Sequence, residues 1–337
     1  MEIILHRYAL QLRHTFTIAH DSRNVQNTLI VELKDEQISG YGEATENPYY
    51  GVTFEIMEVA LHKIKDKIQN YELKNPKDFW EFVKPDLADI PFAQCALDGA
   101  ANDLYGKKIG KPLYEIWNLN PKNIPLTNYT IGIDSIEKMI FKMKETPWNL
   151  YKIKLGTPHD LEIIKELRKH STAKFRVDAN CAWGVEETIK NSEELAKLNV
   201  EFIEQPMKAN DWEGMKEVYK HSALPLIADE SCIVESDVLC CAGFFHGINI
   251  KLTKCGGLTP AHRMIDQARK LGLQVMMGCM TESLVGISAI AHIAARLDYV
   301  DMDGAMLIKE QIAEGVNITP DGVIFPKTNG AGIRLFS

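Results

Sequence analysis

Short apolar runs recur along the middle of the chain, with polar, helix-patterned segments between them. The runs are NYTIGI (128–133), YKIKLG (151–156), FRVDAN (175–180), EFIEQP (201–206), PLIADES (225–231), GINIKL (247–252), LQVMMGC (273–279) and YVDMDG (299–304), and they begin about 22–26 residues apart. Segments such as HDLEIIKELRKH, VEETIKNSEELAKL and LTPAHRMIDQARKLG carry apolar residues at helical spacing between them. Eight strands alternating with helices predict a parallel β/α barrel of the TIM type.

The first 120 residues have a different grammar. Strand-like runs (IILHRYAL, TLIVELKD, SGYGEAT) come first, and helices follow around 53–69, 76–86 and 91–106. This predicts a separate α+β domain over 1–120, with the barrel over 121–310. The tail over 311–337, including GVNITPDGVIFPKTNGAGIRLF, reads as short strands and turns that return to pack on the N-terminal domain.

Composition narrows the class. The 337 residues are 45% hydrophobic, ample for a large core, and the net charge is −8 with both signs spread along the chain. No basic block points to nucleic acid, and no basic amphipathic stretch points to a membrane surface. The opening MEIILHRYALQLRHTFTI lacks an apolar h-region with a cleavage site. No apolar run approaches the roughly 20 residues that cross a bilayer. The seven cysteines form no CxxC pair, as expected of reduced thiols in the cytoplasm. Cys240 and Cys241 fall in a helical pattern and read as packing residues.

Polar residues then stand out at one strand end after another: Thr130, Lys152 and Lys154, Asp178 and Asn180, Glu204, Asp229, Lys251, Glu282, Asp301 and Asp303. A single acid there reads as the N-cap of the next helix, but a recurrence around the barrel does not. This is the end of a barrel that carries chemistry. Asp178, Glu204 and Asp229 lie on the third, fourth and fifth strands, which are neighbours. Three converging carboxylates repel, and a bound cation removes that cost. Hard oxygen ligands favour Mg²⁺, with Mn²⁺ as a substitute, and argue against zinc.

Lys154 on strand two and Lys251 on strand six face each other across the mouth. Lys152 shares a face with Lys154, because side chains alternate with period two, and it is placed to hold a substrate anion beside the metal. A metal flanked by two opposed bases predicts proton abstraction next to a carboxylate, with the metal stabilising the enediolate. One lysine removes the proton and the other returns one to the opposite face, a racemisation or epimerisation. With one lysine acting alone, the same site suits a β-elimination.

The ordered set KIK (152–154), VDAN, IEQP, ADES and NIKLTKCGG, with ALDGAANDLYGKKIGKPLYEIW before it, resembles the enolase superfamily and its muconate-lactonizing-enzyme subgroup nearly end to end. The resemblance implies an α+β capping domain, built from the N-terminal region and the tail, over a modified (β/α)7β barrel. It implies Asp178, Glu204 and Asp229 as metal ligands and Lys154 and Lys251 as the acid/base pair. Loops near His14–Asn24 and Glu46–Thr53 would close over the site, with TyrTyrGly (49–51) as a lid tip.

Strand eight carries Asp301 and Asp303 as DMD. An acidic pair there would hold an ammonium at the far end of a substrate whose carboxylate is on the metal, which describes a dipeptide. This Asp-x-Asp resembles the dipeptide epimerases of the subgroup, whose reaction would invert the Cα of the C-terminal residue. Thr130 is expected beside the bound substrate, and breakdown of cell-wall peptides is a plausible setting. Members acting on Ala-Glu dipeptides resemble one another in an Arg on the first capping loop. Here Asp21 takes that place, with Arg23 two residues on, so small or apolar side chains are expected. An N-acylamino acid racemase or an o-succinylbenzoate synthase-like lyase would share the metal and both lysines but needs no acidic pair. A non-catalytic metal-binding protein is the alternative of another class. A homo-oligomer is a further expectation by analogy.

Overall fold

The computed structural model describes residues 1–336. Three antiparallel strands open the chain: β1 (Glu2–Ile18), β2 (Asp21–Asp35) and β3 (Ile38–Thr45), paired in that order. On β2 the alternating residues Leu29, Val31 and Leu33 are fully buried. They meet helices α1 (Phe54–Lys63), α2 (Lys65–Gln69), α3 (Pro76–Leu87) and α4 (Pro91–Ile109) in one core with Met57, Phe79 and Leu97. Helix α4 sits unusually close to β3. A Cβ on Gly42 would stand 2.0 Å from the Ala96 carbonyl, and one on Gly40 would stand 2.3 Å from that of Ala100. Glycine on the strand and alanine on the helix permit this contact.

Each of the eight expected runs overlaps a barrel strand, three of which begin one residue earlier: β4 (Tyr129–Ile131), β5 (Leu150–Lys154), β6 (Lys174–Asp178), β7 (Val200–Glu204), β8 (Leu226–Ala228), β9 (Gly247–Ile250), β10 (Gln274–Gly278) and β11 (Tyr299–Asp301). They pair in parallel in chain order, and a bridge between Thr127 and Val300 brings the last strand back to the first. Outward residues such as Ile153, Val177, Ile203 and Ile248 pack under the surrounding helices. The barrel fold therefore follows the apolar pattern closely.

The barrel interior departs from the apolar filling usual in such barrels. Phe202, Ile227, Met276 and Tyr299 do form an apolar layer. Beside it lies Arg176, 3% exposed, with its guanidinium 5.2 Å from the Phe202 ring and 5.1 Å from the Tyr299 ring. Its Nε donates to Glu201 Oε2 at 2.8 Å, and its Nη1 donates to both the Val300 carbonyl at 2.9 Å and Asn128 Oδ1 at 3.2 Å. A buried charge is tolerated because these partners replace the water it lost.

The tail forms β12 (Ala313–Glu314) paired with β15 (Arg334–Leu335), and a hairpin of β13 (Asn317–Thr319) with β14 (Gly322–Ile324). It touches both parts of the molecule. Ala331 N donates to Asp103 Oδ1 on α4 at 2.8 Å, while Val316 and Ile333 enter the barrel core. Cys241 is buried as expected, but Cys240 on the same short helix is exposed, because its position on the turn points away from the core. Among the described residues, no helix is long and apolar enough to cross a membrane.

Candidate active site

Asp178 and Glu204 are the last residues of β6 and β7, and Asp229 follows β8 directly. Parallel register sets Lys154 beside Asp178 and Asp178 beside Glu204. The three acids are 0–1% exposed, and each offers a carboxylate oxygen within 4.8 Å of the others. One oxygen of each is already held. Asp178 Oδ1 accepts from Asn180 N at 3.0 Å, Glu204 Oε1 from Asn249 Nδ2 at 2.8 Å, and Asp229 Oδ1 from Lys254 Nζ at 2.6 Å. The remaining oxygens face lysines. Lys154 Nζ lies 2.6 Å from Asp178 Oδ2, and Lys251 Nζ lies 2.8 Å from Asp229 Oδ2.

Glu204 Oε2 is different. It is buried and has no hydrogen-bond partner, although Lys152 Nζ stands 2.7 Å away off the bonding direction. Burial first, and then the charge of Asp178, push the Glu204 carboxyl up to about 7. Burial also raises Asp229, but Lys251 and Lys254 more than offset it and hold that acid well below the usual range. Asp178 is likewise lowered, its burial overcome by Lys154 and Lys152. At Glu204, burial and the charge of Asp178 thus outweigh the nearby Lys152 ammonium. Three hard oxygen donors with one buried oxygen unbonded fit a divalent cation such as Mg²⁺.

Lys152 joins this cluster to strand eight. It is 1% exposed, and its Nζ lies 2.9 Å from Asp301 Oδ2 and 3.3 Å from Asp178 Oδ2. Burial opposes its charge, but Asp301 and Glu204 outweigh it and hold the ammonium well above its ordinary pKa. Asp301 Oδ1 accepts from Asn128 Nδ2 at 2.7 Å. Asp303 takes the backbone N–H of Thr130 on Oδ2 and lies 3.9 Å from Cys279 Sγ through Oδ1. Burial and the neighbouring Asp301 raise the Asp303 carboxyl well above its ordinary value. Lysines 152, 154, 251 and 254 therefore face the four carboxylates of Asp178, Glu204, Asp229 and Asp301, four charges against four.

A cavity of about 430 Å³ opens above this floor. Lys152, Lys154, Lys251, Asp301, Asp303 and Thr130 line its lower wall. The three clustered acids lie beneath them. Two capping segments form the roof: Phe16 and Ile18 at the end of β1, where the expected loop over 14–24 is instead a hairpin that turns at residues 19–20, and Tyr49 and Tyr50 from the loop after β3. The loops touch through His20 and Tyr49, whose ring centres are 4.9 Å apart. Gly51 closes the second loop in a left-handed conformation at φ 67°. Arg23 pairs across the strands with Phe16, so it does reach the cavity, but its guanidinium is engaged by Asp21 and Gln26.

Every polar strand-end residue singled out in the sequence converges on this cavity or its floor except Glu282. That acid is buried away from it, accepting from Met280 N at 2.9 Å, and Glu43 of β3 lies close enough for its charge to act on it. Sequence reasoning passed over Asn128, Arg176, Asn249 and Lys254. A usable signal existed for three of them. Asn128, Arg176 and Asn249 stand two residues before Thr130, Asp178 and Lys251, so they point to the same side of their strands. Lys254 lies beyond its strand, where that rule ends.

A family model described as mandelate racemase/muconate lactonizing enzyme, N-terminal domain, matches residues 1–117, and one described as enolase C-terminal domain-like matches residues 137–336. An L-Ala-D/L-amino acid epimerase of Flavobacterium johnsoniae is 60% identical over 335 residues, covering 99% of this chain and 100% of the relative. The substrate-liganded L-Ala-D/L-Glu epimerase of Bacillus subtilis superposes with a TM-score of 0.93 at 28% identity, covering 99% of this chain and 98% of the other. A dipeptide epimerase of Enterococcus faecalis, solved with Mg and the dipeptide L-Leu-L-Tyr, superposes with a TM-score of 0.92 at 30% identity, covering 98% of each chain.

Proposed function

The chain belongs to the enolase superfamily, in the dipeptide epimerase family of its muconate-lactonizing branch, and on that premise we propose that Lys154 and Lys251 exchange the α-proton of a dipeptide's C-terminal residue from opposite faces. It is an isomerase that uses Mg²⁺. One observation carries the two-base reading. Each lysine is paired with a different acid of the cluster, Lys154 with Asp178 and Lys251 with Asp229, on strands opposite each other in the barrel. A reacting carbon over the cluster would lie between two ammonium groups.

Asp178, Glu204 and Asp229 would hold the Mg²⁺, which supplies positive charge that stabilises the substrate carboxylate as electron density moves into it and eases proton loss from one lysine. That neutral lysine takes the Cα proton, and the electron pair delocalises into the carboxylate. The opposing lysine, as an ammonium, gives its proton to the other face of Cα. The two lysines have then exchanged protonation states, and the carbon is inverted. Lys152 sets its buried charge between the carboxylate end and the ammonium end of the substrate. Asp301 and Asp303 receive that ammonium, and their depth makes the pairing selective for a free amino terminus.

Small or apolar side chains suit the roof. Arg23 is neutralised by Asp21, and Phe16 and Ile18 present apolar surface. The Flavobacterium johnsoniae relative is an L-Ala-D/L-amino acid epimerase, which supports an N-terminal alanine with a varied second residue. The deciding experiment is incubation of a dipeptide library with the protein and Mg²⁺ in D₂O. Deuterium at the C-terminal Cα with loss of configuration is expected. No exchange with any dipeptide would refute the reading.

A further inference from the structure

Lys254 is buried at 1% exposure, and its side chain is fully enclosed. It does not reach the cavity, so it cannot touch substrate. Its ammonium makes three contacts: Asp229 Oδ1 at 2.6 Å, the Asp229 carbonyl at 2.6 Å and the Cys232 carbonyl at 3.0 Å. Three donors meet three acceptors, so the group is saturated. All three acceptors belong to the loop after β8 that presents Asp229 to the cluster.

The local backbone explains how one carboxylate receives two lysines. Lys251 precedes a single helical turn, Leu252–Cys255. Positions three apart on a turn share a side, so Lys251 and Lys254 both address Asp229, one at Oδ2 and one at Oδ1. The turn is then stopped by Gly256 and Gly257 at φ 93° and 121°. A Cβ on Gly257 would meet Asp98 of α4 at 2.5 Å, and Trp80 Nε1 on α3 donates to the Gly256 carbonyl at 2.9 Å. The turn that carries both lysines is therefore pinned from the capping side.

We propose that Lys254 is a positioning residue: it anchors the Asp229 carboxylate through Oδ1 and the loop through two carbonyls, leaving Oδ2 directed at Lys251 and the metal. It acts through Asp229 and not on substrate. The inference rests on Asp229 being a metal ligand, as in the proposed function.

The sign of one measurement separates positioning from charge. Removing a cation beside a metal ligand, with nothing else changed, strengthens Mg²⁺ binding. Losing a group that orients a ligand typically weakens it by 10–100-fold. Calorimetric titration of Lys254→Met with MgCl₂, without substrate, is expected to give an affinity at least tenfold below that of the unaltered protein. Equal or tighter binding overturns the proposal. Should Lys254→Met not fold, Lys254→Gln has only two donors on a shorter side chain and cannot make all three contacts; a fall in Mg²⁺ affinity supports the proposal, and an unchanged or higher affinity overturns it. A second readout excludes general loosening. With Mg²⁺ saturating, deuterium exchange from the epimer whose exchange disappears in Lys251→Ala should fall at least tenfold more than exchange from the other epimer. Equal slowing of both overturns the positioning role. If the unaltered protein exchanges neither epimer, the epimerase reading fails instead, and the metal titration still judges Lys254.

Discussion

Lys152 and Asp301 form an ion pair inside the barrel, Nζ to Oδ2 at 2.9 Å, and the same ammonium stands 2.7 Å from Glu204 Oε2. One buried cation thus links the acid cluster to the acidic pair on the last strand. Asp301 and Asp303 consequently differ, because Asp303 has no contact with Lys152 and rests on Thr130 and Cys279.

Asp303→Asn and Asp301→Asn should separate on this ground. Either change removes a carboxylate proposed to receive the buried substrate ammonium, and loss of a buried charge's partner costs about 3–5 kcal/mol, so either should lower kcat/KM for dipeptides at least 100-fold. Only Asp301→Asn should also shift Mg²⁺ affinity, since it releases Lys152 onto Glu204. Steady-state kinetics and calorimetry on both variants check this. Equal metal affinities would remove the link through Lys152.

The two proposed bases have a separate signature. A general acid or base contributes about 10²–10⁴-fold, so Lys154→Ala and Lys251→Ala should each reduce epimerisation by at least 10²-fold. Each should still exchange deuterium into one epimer, and the retained epimers should be opposite. Mass spectrometry of L- and D-configured substrates in D₂O reads this directly. A variant that still inverts at the full rate would end the two-base mechanism.

Asp21 offsets the charge of Arg23 at the cavity roof. Asp21→Ala should free that guanidinium, and kcat/KM for L-Ala-L-Glu relative to L-Ala-L-Leu should rise about tenfold, the worth of one charge-assisted contact at about 1.4 kcal/mol. An unchanged ratio would mean that Arg23 does not meet the side chain.

The barrel was legible because its strands are doubly constrained. Apolar residues must face the helices at every second position, and the chain repeats this eight times. The acids and lysines were legible because each breaks that pattern at a strand's C-terminal end. What the pattern could not show were residues that act through another residue. Asn249 and Arg176 point into the barrel where an apolar side chain was expected, and only their contacts with Glu204 and with Asn128 and Glu201 explain them. Lys254 depends on two glycines that end a helical turn, which no periodicity encodes. Glu282 misled for the opposite reason. It follows the seventh strand as the other acids follow theirs, but the loop turns it toward Glu43.

That turn has a measurable consequence. Glu282 is buried, and its burial together with the nearby charge of Glu43 pushes its carboxyl up to about 8 from an ordinary 4.5. Between those two pH values the folded chain retains a proton that the unfolded chain has released. Stability from this group is therefore fully present below about pH 4.5, declines as pH rises, and levels off above about pH 8. Glu282→Gln keeps the shape and an acceptor for Met280 N but cannot ionise. Its melting temperature should match that of the unaltered protein at pH 5 and exceed it at pH 8 by about 5 °C, from a difference on the order of 3 kcal/mol. Because Glu282 and Glu43 act on each other, the difference between the two curves reports the pair, with Glu282 as the group removed. Melting curves that stay parallel from pH 5 to pH 8 would show that Glu282 is ionised throughout.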